Sequence, residues 1–404
     1  MIRSHLEHVT FPNLLRAERE EGVFSLHNPA HGTSLDVEPE SGELVDMVLE
    51  AFAEPRTLDD FFAAHEDVPE ELVLYLVRAT LLVEREQLEF LEHGFLRPTS
   101  TPTGTPLAWS DLPDALEDWV VLGVPVDAHA LGGSGARHGP AEIRRLINGT
   151  LLSGEGDVVD WELRRLYPNL QVGVHDLGDI DPEGGRMDHV GSRLRKVVRE
   201  LLRIGARPLL LGGDHSITHY ALQEIAQHVP RFGLIHFDAH PDLLPSRTLS
   251  HASVFKLAVE EPRVDPFVQL GLRVIERISP YARREPCPKR VVISAREIAS
   301  AASILQQLPR DIPYYLSFDI DCIDAASARE TGTPAFGGLS FERASELVDY
   351  VARTFELLGA DFVEVAGAQG ALHASASMAA SLVQRCLLSA SPFEPLTTDV
   401  YRFP

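Results

Sequence analysis

Three short polar segments of the sequence carry residue types that bind metals and move protons. Each follows an apolar run: GGDHS (212–216) follows RPLLL, DAHPD (238–242) follows FGLIHF, and DID (319–321) follows YYLSF. Side chains of an extended segment alternate faces with a period of two, so those of the second and third segments can project together. The resulting set has four carboxylates and two imidazoles: His215, Asp238, His240, Asp242, Asp319 and Asp321.

Such a set favours a bound cation, because four converging carboxylates repel one another strongly when nothing offsets their charge. Carboxylate and imidazole ligands suit Mn²⁺ or a related divalent metal better than a soft metal. If one or two carboxylates bridge, the set can hold two metals, an arrangement that activates water at neutral pH. Each segment alone is typical of a turn or a cap, but three of them after apolar strands indicate a site.

The elements that would position these segments alternate along the second part of the chain. Apolar runs that predict strands are separated by helical patterns, which indicates an α/β fold with a parallel sheet covered on both faces. Ligands bind such sheets at the carboxyl ends of the strands, where the three segments lie. The predicted strands are 119–125, 170–178, 207–213, 232–238, 268–274, 314–321 and 361–365; the predicted helices are 140–147, 190–205, 217–229, 340–355 and 377–390.

From about residue 118 to residue 395 the sequence resembles the ureohydrolase family, which includes arginases, agmatinases and guanidinobutyrases. Besides GGDHS, DAHPD and SFDIDCIDA, the shared patterns are GARHGPAEIR (135–144), TGTPAFGGL (331–339) and DFVEV (361–365). The resemblance implies an arginase-like three-layer fold with a parallel sheet and two Mn²⁺ per subunit. It also implies a homo-oligomer that hydrolyses the C–N bond of a linear amidine. Metal-activated water would attack a guanidinium carbon and release urea and a primary amine.

The same resemblance assigns roles to individual residues. The six residues named above would ligate the metals, with Asp238 and Asp319 as bridging ligands and Asp242 also managing a proton of the intermediate. His251, in SHASVF, would act as proton shuttle or general acid toward the departing amine. Glu364 would bind the substrate guanidinium through a charge-assisted contact. For these two residues the alternatives are a helix-start histidine and a strand-end salt bridge.

The sequence departs from the family beside the expected pocket. Its LLPSRTL segment (243–249) lacks the Asn- and Ser-containing loop with which arginases recognise the α-carboxylate and α-amine of free arginine. Arg329-Glu330 stand in place of Pro-Gly, Ala366-Gly367 in place of Asn-Pro, and Ala252 in place of Gly. We therefore expect a site that does not recognise a free amino acid.

A change of composition divides the chain near residue 97. The segment RPTSTPTGTPLAWS (97–110) is typical of a linker, so we predict a first domain at 1–95, a linker at 96–117 and a catalytic domain at 118–404. The first domain reads as a small α+β winged-helix-like module. Its predicted strands are 22–28, 33–38 and 84–92. Its predicted helices are 41–52, a short helix in TLDDFFAAH that Thr57 caps, and 68–83.

This first domain resembles the PqqD-like domains that bind the leader peptide of a ribosomally made precursor as an added strand. Together the two domains predict a peptide arginase, which converts arginine residues of an arginine-containing precursor peptide to ornithine. A small-molecule agmatinase or guanidinobutyrase and an inactive scaffold with a binding role are the alternatives. A deacetylase of the related arginase-like fold is more remote, because it needs a single zinc. The alternative role of the first domain is oligomerisation or regulation.

Composition excludes several classes of partner. With 36 basic and 60 acidic residues the formal net charge is −24, which disfavours nucleic acids and anionic lipid surfaces. No run of about 18 apolar residues predicts a membrane span, and the N-terminal sequence lacks a signal-peptide pattern. The three separated cysteines, Cys287, Cys322 and Cys386, suit reduced thiols. We therefore expect a cytoplasmic protein.

Overall fold

The computed structural model divides into two compact units: Met1–Leu96 with Arg186–Lys196, and Arg97–Gly185 with Val197–Pro404. The residues that it describes are 7–10, 15–18, 23–28, 33–53, 56–65, 67–78, 81–84, 95–128, 133–147, 156–170, 172–182, 187–244, 249–275, 287–367, 373–389 and 391–397.

Two small antiparallel sheets lie in the first unit. In one, β1 (Glu7–Thr10) lies between β5 (Arg56–Thr57) and β6 (Leu82–Glu84). In the other, β2 (Leu15–Glu18), β3 (Phe24–Asn28) and β4 (Thr33–Val37) pair in chain order. The strands β3 and β4 correspond to the predictions at 22–28 and 33–38, whereas β1 and β2 are absent from the sequence-based prediction.

Three helices contribute to the core of this unit: α1 (Pro39–Ala51), α2 (Leu58–Ala64) and α3 (Glu70–Arg78). The hydroxyl oxygen of Thr57 accepts a hydrogen bond from the main-chain N–H of Asp60 at 3.1 Å, which caps α2 as predicted. The helix predicted at 68–83 is shorter, since the N–H of Leu81 donates to the carbonyl of Leu76 and the chain continues into β6. Apart from Glu84, the strand predicted at 84–92 lies outside the described residues.

A ten-stranded sheet forms the centre of the second unit. In chain order its strands are β7 (Leu96–Arg97), β8 (Thr105–Pro106), β9 (Trp119–Val124), β12 (Val174–Ile180), β13 (Arg207–Gly212), β14 (Phe232–Phe237), β15 (Val264–Leu272), β16 (Arg290–Ser294), β17 (Tyr314–Asp319) and β18 (Leu357–Val363). In the sheet they lie in the order β16–β15–β14–β17–β18–β13–β9–β12–β7, with β8 beside β12. From β16 to β12 the neighbouring strands run parallel. A separate small sheet contains β10 (Val158–Asp160), β11 (Arg165–Tyr167) and β19 (Glu394–Pro395).

Every residue of β9, β14 and β17 is buried, as a parallel sheet covered on both faces requires. This arrangement confirms the α/β fold expected from the alternating pattern. The predicted helices are present in chain order as α4 (Gly139–Leu146), α5 (Met187–Arg203), α6 (Ser216–His228), α9 (Phe341–Thr354) and α10 (Ala374–Ser389). Two short helices, α7 (Lys256–Glu260) and α8 (Ala301–Leu305), are absent from the sequence-based prediction. The helix α10 packs against both α4 and α9.

The segment 96–117, predicted as a linker, contributes β8 to the main sheet. The main-chain N–H of Thr103 donates to Asp176 Oδ2 at 2.7 Å, which fixes the segment beside β12. Gly104 has a φ of +90°, and a Cβ there would lie 2.3 Å from the carbonyl oxygen of Val174, so only glycine fits this approach. Residues rich in Pro, Thr and Gly therefore serve as an ordered sheet edge here.

The strand β16 is also absent from the sequence-based prediction. It lies at the edge of the sheet, and only Ile293 in it is buried, so its sequence lacks the continuous apolar run of the central strands. Within the described residues, no helix is both long enough and apolar enough to cross a membrane.

Candidate metal centre

The three polar segments meet because the strands that precede them are neighbours. The strands β14, β17, β18 and β13 lie side by side and parallel in the sheet. Their carboxyl ends therefore open onto one edge, and each delivers part of the site. All six predicted ligands lie at this edge, and they are called the cluster below. His215 follows β13. The ligands contributed by the turn after β14 are Asp238, His240 and Asp242; those from the end of β17 are Asp319 and Asp321.

Glycine brings the first of these segments close to its neighbours. A Cβ on Gly213 would lie 2.4 Å from the carbonyl oxygen of Val124, so the chain can turn here only without a side chain. Asp214 then accepts a hydrogen bond from the N–H of Ser216, the first residue of α6, at 3.1 Å. Asp214 thus has a structural role, and His215 is the residue of this segment that faces the other carboxylates.

The hydrogen bonds of His215 show which of its nitrogen atoms is available to a metal. The hydroxyl of Ser317 donates to Asp361 Oδ1 at 2.7 Å, so its oxygen accepts from His215 Nε2 at 2.9 Å. The other nitrogen, Nδ1, has no hydrogen-bond partner of good geometry within the described chain. Yet it lies 3.1–3.4 Å from three carboxylate oxygens, those of Asp238, Asp242 and Asp319. One nitrogen facing three acceptors is the arrangement that a shared cation satisfies.

A second group of donors adjoins the first. His240 Nδ1 lies 2.9 Å from Asp321 Oδ2 and 3.4 Å from Asp238 Oδ1. Asp238 therefore directs one oxygen to His240 and the other to His215, as a bridging ligand would. Main-chain N–H groups hold the carboxylates in place: Asp238 accepts from His240, Asp321 accepts from Ala239, and Asp319 accepts from Asp321. The two groups share an acid but have separate histidines, so the residues fit two metal ions.

The electrostatics of the cluster also favour a bound cation. Burial, together with neighbouring Asp321 and Asp238, raises the pKa of Asp319 well above its usual value. Burial alone would lower the pKa of His215, but the three carboxylates that face its Nδ1 outweigh this effect and raise the pKa well above 6.5. The carboxylates thus cannot all be charged at neutral pH unless positive charge lies among them. Oxygen and imidazole nitrogen donors of this kind suit Mn²⁺.

We expect Mn²⁺ binding to release protons and to weaken steeply as the pH falls below about 7. Burial and then the charge of Asp238 raise the pKa of Asp242 to about 7 and that of Asp321 to about 6. Burial alone would lower the pKa of His240, but its carboxylate partners raise it to about 11. Protons on these groups must leave before their atoms can ligate a metal, so affinity rises as the pH rises.

Titration calorimetry in two buffers with different ionisation enthalpies would count the protons released. The expected result is at least one proton per chain near neutral pH. Binding heats independent of the buffer, with an affinity that stays constant from about pH 8 to about pH 6, would contradict this prediction.

His236 supports the centre and is absent from the sequence-based set. Its Nε2 lies 2.9 Å from Asp238 Oδ2, and its Nδ1 accepts from Gln269 Nε2 at 2.9 Å. Arg290 Nε in turn donates to Gln269 Oε1 at 2.6 Å. Both ring nitrogens are therefore occupied, which makes His236 an orienting partner of Asp238 rather than a metal ligand. The signal was present in the sequence, because His236 lies two residues before Asp238 and so on the same face.

His251 and Glu364 lie together beside this cluster. His251 Nδ1 lies 3.1 Å from Glu364 Oε1, which also accepts from the main-chain N–H of His215 at 2.8 Å. The second oxygen, Oε2, is buried without a hydrogen-bond partner within the described chain. Space is kept beside it by Gly332, whose Cβ would lie 3.2 Å from that oxygen. Glu364 therefore holds a negatively charged oxygen ready for a donor.

Backbone conformation points to the same residues. Four described residues other than glycine have a positive φ, and two of them, Asp242 (49°) and Glu364 (62°), belong to this site. Such conformations are uncommon for residues with side chains and cluster at functional sites.

One of the positions at which the sequence departs from the family pattern is Glu330. Its carboxylate accepts from the N–H and hydroxyl of Ser375 at 3.2 and 2.9 Å. Residues 245–248 of the LLPSRTL segment lie outside the described residues.

Comparisons with known proteins agree with this geometry. The model of the arginase family matches residues 117–389. The agmatinase of Escherichia coli (strain K12 / DH10B) is 34% identical over 278 residues, which cover 68% of this chain and 88% of that protein. Among solved structures, a hypothetical agmatinase from Burkholderia thailandensis is 32% identical with a TM-score of 0.58, covering 69% of this chain and 87% of the other. Proclavaminate amidino hydrolase from Streptomyces clavuligerus is 26% identical with a TM-score of 0.59, covering 73% and 99%.

Proposed function

The chain belongs to the arginase family, and we propose that it is a two-metal ureohydrolase which cleaves agmatine or a similar guanidine to urea and a primary amine. Membership of the family makes it a hydrolase of C–N bonds in linear amidines. Its agmatinase relatives support a substrate that lacks a free α-carboxylate. The departure from the free-arginine loop in the LLPSRTL segment agrees with that choice.

One observation carries this proposal: Glu364 Oε2 is buried beside the candidate metal ligands and has no hydrogen-bond partner among the described residues. A buried carboxylate oxygen without a donor is costly, and a cationic N–H donor removes that cost. A guanidinium is planar and permanently charged, and it presents N–H groups in a fixed fork. Bound to Glu364, its central carbon would lie near the metal cluster, because Glu364 Oε1 contacts the N–H of His215.

The residues that would hold two Mn²⁺ are the six of the cluster, with Asp238 as the shared ligand. Enzymes of this family are binuclear metal hydrolases, typically with manganese, and such a pair supplies activated water and charge stabilisation. Asp242 Oδ2 lies 3.1 Å from His215 Nδ1, and a carboxylate at this position can accept a proton during the reaction. Asp319 completes the group around His215.

His251 is placed to give a proton to the departing amine. Burial alone would lower its pKa, but the hydrogen bond and charge of Glu364 raise it above 6.5, which favours the protonated form that a general acid requires. Its Nδ1 is occupied by Glu364. The remaining nitrogen, Nε2, is then the atom that can deliver a proton to the leaving nitrogen.

Replacing His251 by Asn should lower kcat by about 100-fold or more while leaving two Mn²⁺ bound, because a positioned general acid contributes about that factor. Steady-state kinetics with urea detection would measure the rate, and elemental analysis would measure the metal. A matched control is His228→Asn, which removes a histidine at the end of α6 that contacts the carbonyl of Glu224. An H251N rate within threefold of the parent would remove His251 from the mechanism.

A peptide arginase is the second candidate, and one observation favours it. Residues 1–96, which form most of the first unit, lie outside residues 117–389, which match the family. A ureohydrolase does not need this unit for its chemistry, so a role in binding a leader peptide is a reason for its presence. The product would be ornithine within the peptide. The PqqD-like resemblance, the homo-oligomer and the cytoplasmic location stay predictions.

The deciding experiment offers Mn²⁺-loaded full-length protein four guanidines: free arginine, agmatine, 4-guanidinobutyrate and an arginine-containing peptide. Urea release and mass spectrometry of the peptide are measured, with the Glu364→Gln variant as the inactive control. Turnover of agmatine or 4-guanidinobutyrate supports the main proposal. Turnover of the peptide alone overturns it in favour of the peptide arginase. Two bound Mn²⁺ without turnover of any guanidine would support the inactive-scaffold alternative.

A further inference from the structure

A single arginine, Arg273, ties together the main chains of the segments that form one half of the metal centre. It follows β15, next to β14 in the sheet, and its side chain is partly buried. The carbonyl oxygens within reach of its guanidinium belong to Gly271 (3.2 Å), Asp321 (2.5 Å), Cys322 (3.3 Å), Ile323 (3.3 Å), Ala335 (2.8 Å) and Phe336 (3.2 Å). Five N–H groups thus serve six acceptors, so at least one is shared.

These carbonyls lie on two turns that both reach the site. The carbonyls at 321–323 belong to the turn that carries the candidate ligand Asp321. The carbonyls of Ala335 and Phe336 follow Thr333, whose hydroxyl donates to Asp321 Oδ2 at 3.2 Å. Asp321 is therefore fixed twice, at its main chain by Arg273 and at its side chain by the segment that Arg273 also holds.

The main chain of Arg273 contacts a third turn of the site, the one that follows β14. The N–H of Arg273 donates to the carbonyl of Ala239 at 3.0 Å, and Ala239 lies between the candidate ligands Asp238 and His240. The N–H of Ala239 itself donates to Asp321 Oδ1 at 3.0 Å. Arg273 thus sets the spacing between the turn that carries His240 and the turn that carries Asp321.

Only an arginine can make this set of contacts. A lysine ammonium has three donors at one point and cannot span two turns, whereas the guanidinium presents five donors in a rigid plane. In the described residues no carboxylate forms an ion pair with Arg273, so its charge is compensated by carbonyl oxygens. Space is limited as well: a Cβ on Gly338 would lie 2.7 Å from Arg273 Nη2.

We propose that Arg273 is a positioning residue for the half of the metal centre built from His240 and Asp321, and that its guanidinium determines the affinity for the second of two Mn²⁺. This inference rests on the proposed two-metal function. The half around His215 is held by Ser317 and Asp361, which Arg273 does not contact. The effect of changing Arg273 is therefore selective: one metal binds more weakly and the other binds as before.

The test is a calorimetric titration of metal-free full-length protein with manganese chloride, comparing Arg273→Lys and Arg273→Met with the parent. The expected result is two sites in the parent, with one dissociation constant raised by about 10- to 100-fold in R273K, as for other supports of metal ligands. The other constant stays within threefold. The matched control is Arg263→Lys. Arg263 lies just before β15, at the end opposite to Arg273, and its guanidinium donates to the carbonyl of Ala226.

Thermal unfolding of the metal-free variants separates positioning from stability. Two unchanged constants in R273K, or an equal loss at both sites together with a lower Tm, would overturn the proposal. So would a parent that binds a single Mn²⁺, since no second site would then exist. If the parent binds two Mn²⁺ but hydrolyses no guanidine, the proposed function fails while the titration still decides the role of Arg273.

Discussion

Replacing Glu364 by Gln should lower kcat/KM for the guanidine substrate by roughly two to three orders of magnitude, because removing one partner of a buried charge pair costs about that much. Gln keeps the shape of the side chain and an oxygen that can accept from His215 and His251. At the position of Oε2 it would instead place an NH₂ group, which repels the N–H groups of a guanidinium. The metals should remain, since Glu364 is not among their candidate ligands.

Urea-release kinetics and metal analysis on the same preparation would check this result. The matched control is Glu224→Gln, another buried glutamate, which lies on α6 and is paired with Arg199 of α5 at 3.0 Å. We expect that control to lower the Tm and to leave kcat/KM within threefold. If E364Q kept the parent's kcat/KM, Glu364 would be an ordinary strand-end residue. If it lost its metals, its role would be support of the metal centre through His215.

The convergence of the site could be predicted in part from the sequence. Apolar runs followed by GGDHS, DAHPD and DID place all six candidate ligands at the carboxyl ends of strands, as the structure finds them. What the runs do not contain is the order of strands in the sheet. That β17 and β18 lie between β14 and β13 follows from how the connecting helices cross the sheet. Period two along β14 also predicts that His236 faces the same side as Asp238, and applying it one step further would have found that residue.

Other features carry no signal in the sequence. The contacts of Arg273 are to main-chain carbonyls, which every residue has, so no pattern of side chains announces them. Gln269 is a single polar residue inside the apolar strand β15, and its role depends on the register that places it against His236. The prediction that the helix at 68–83 extends to residue 83 is wrong for a similar reason, since α3 ends at Arg78. The apolar residues Leu81 and Leu82 continue a helical period but are buried as part of the turn and strand that follow.

Replacing Asp238 by Asn should abolish the binding of two Mn²⁺ and reduce urea release to below about 1% of the parent. Loss of a residue that merely supports a ligand costs about 10- to 100-fold in metal affinity, so loss of the shared ligand should cost more than about 100-fold. Asp238 is the one carboxylate that faces both His215 and His240 within the described cluster. An amide in its place offers one neutral oxygen and cannot bridge.

A second measurement distinguishes a lost ligand from a damaged fold. Ligands that bind only the native state raise Tm, so Mn²⁺ should raise the Tm of the parent and leave that of D238N unchanged. The matched control is Asp349→Asn. Asp349 is a buried acid of α9 that pairs with Arg165 of β11, and neither residue belongs to the segments that carry the candidate ligands. We expect that control to have a lower Tm which Mn²⁺ still raises. A D238N protein that bound two Mn²⁺ with the parent's affinity would exclude Asp238 as the bridge. Asp319, which also faces His215, would then be the remaining bridging residue of the two that the resemblance implies.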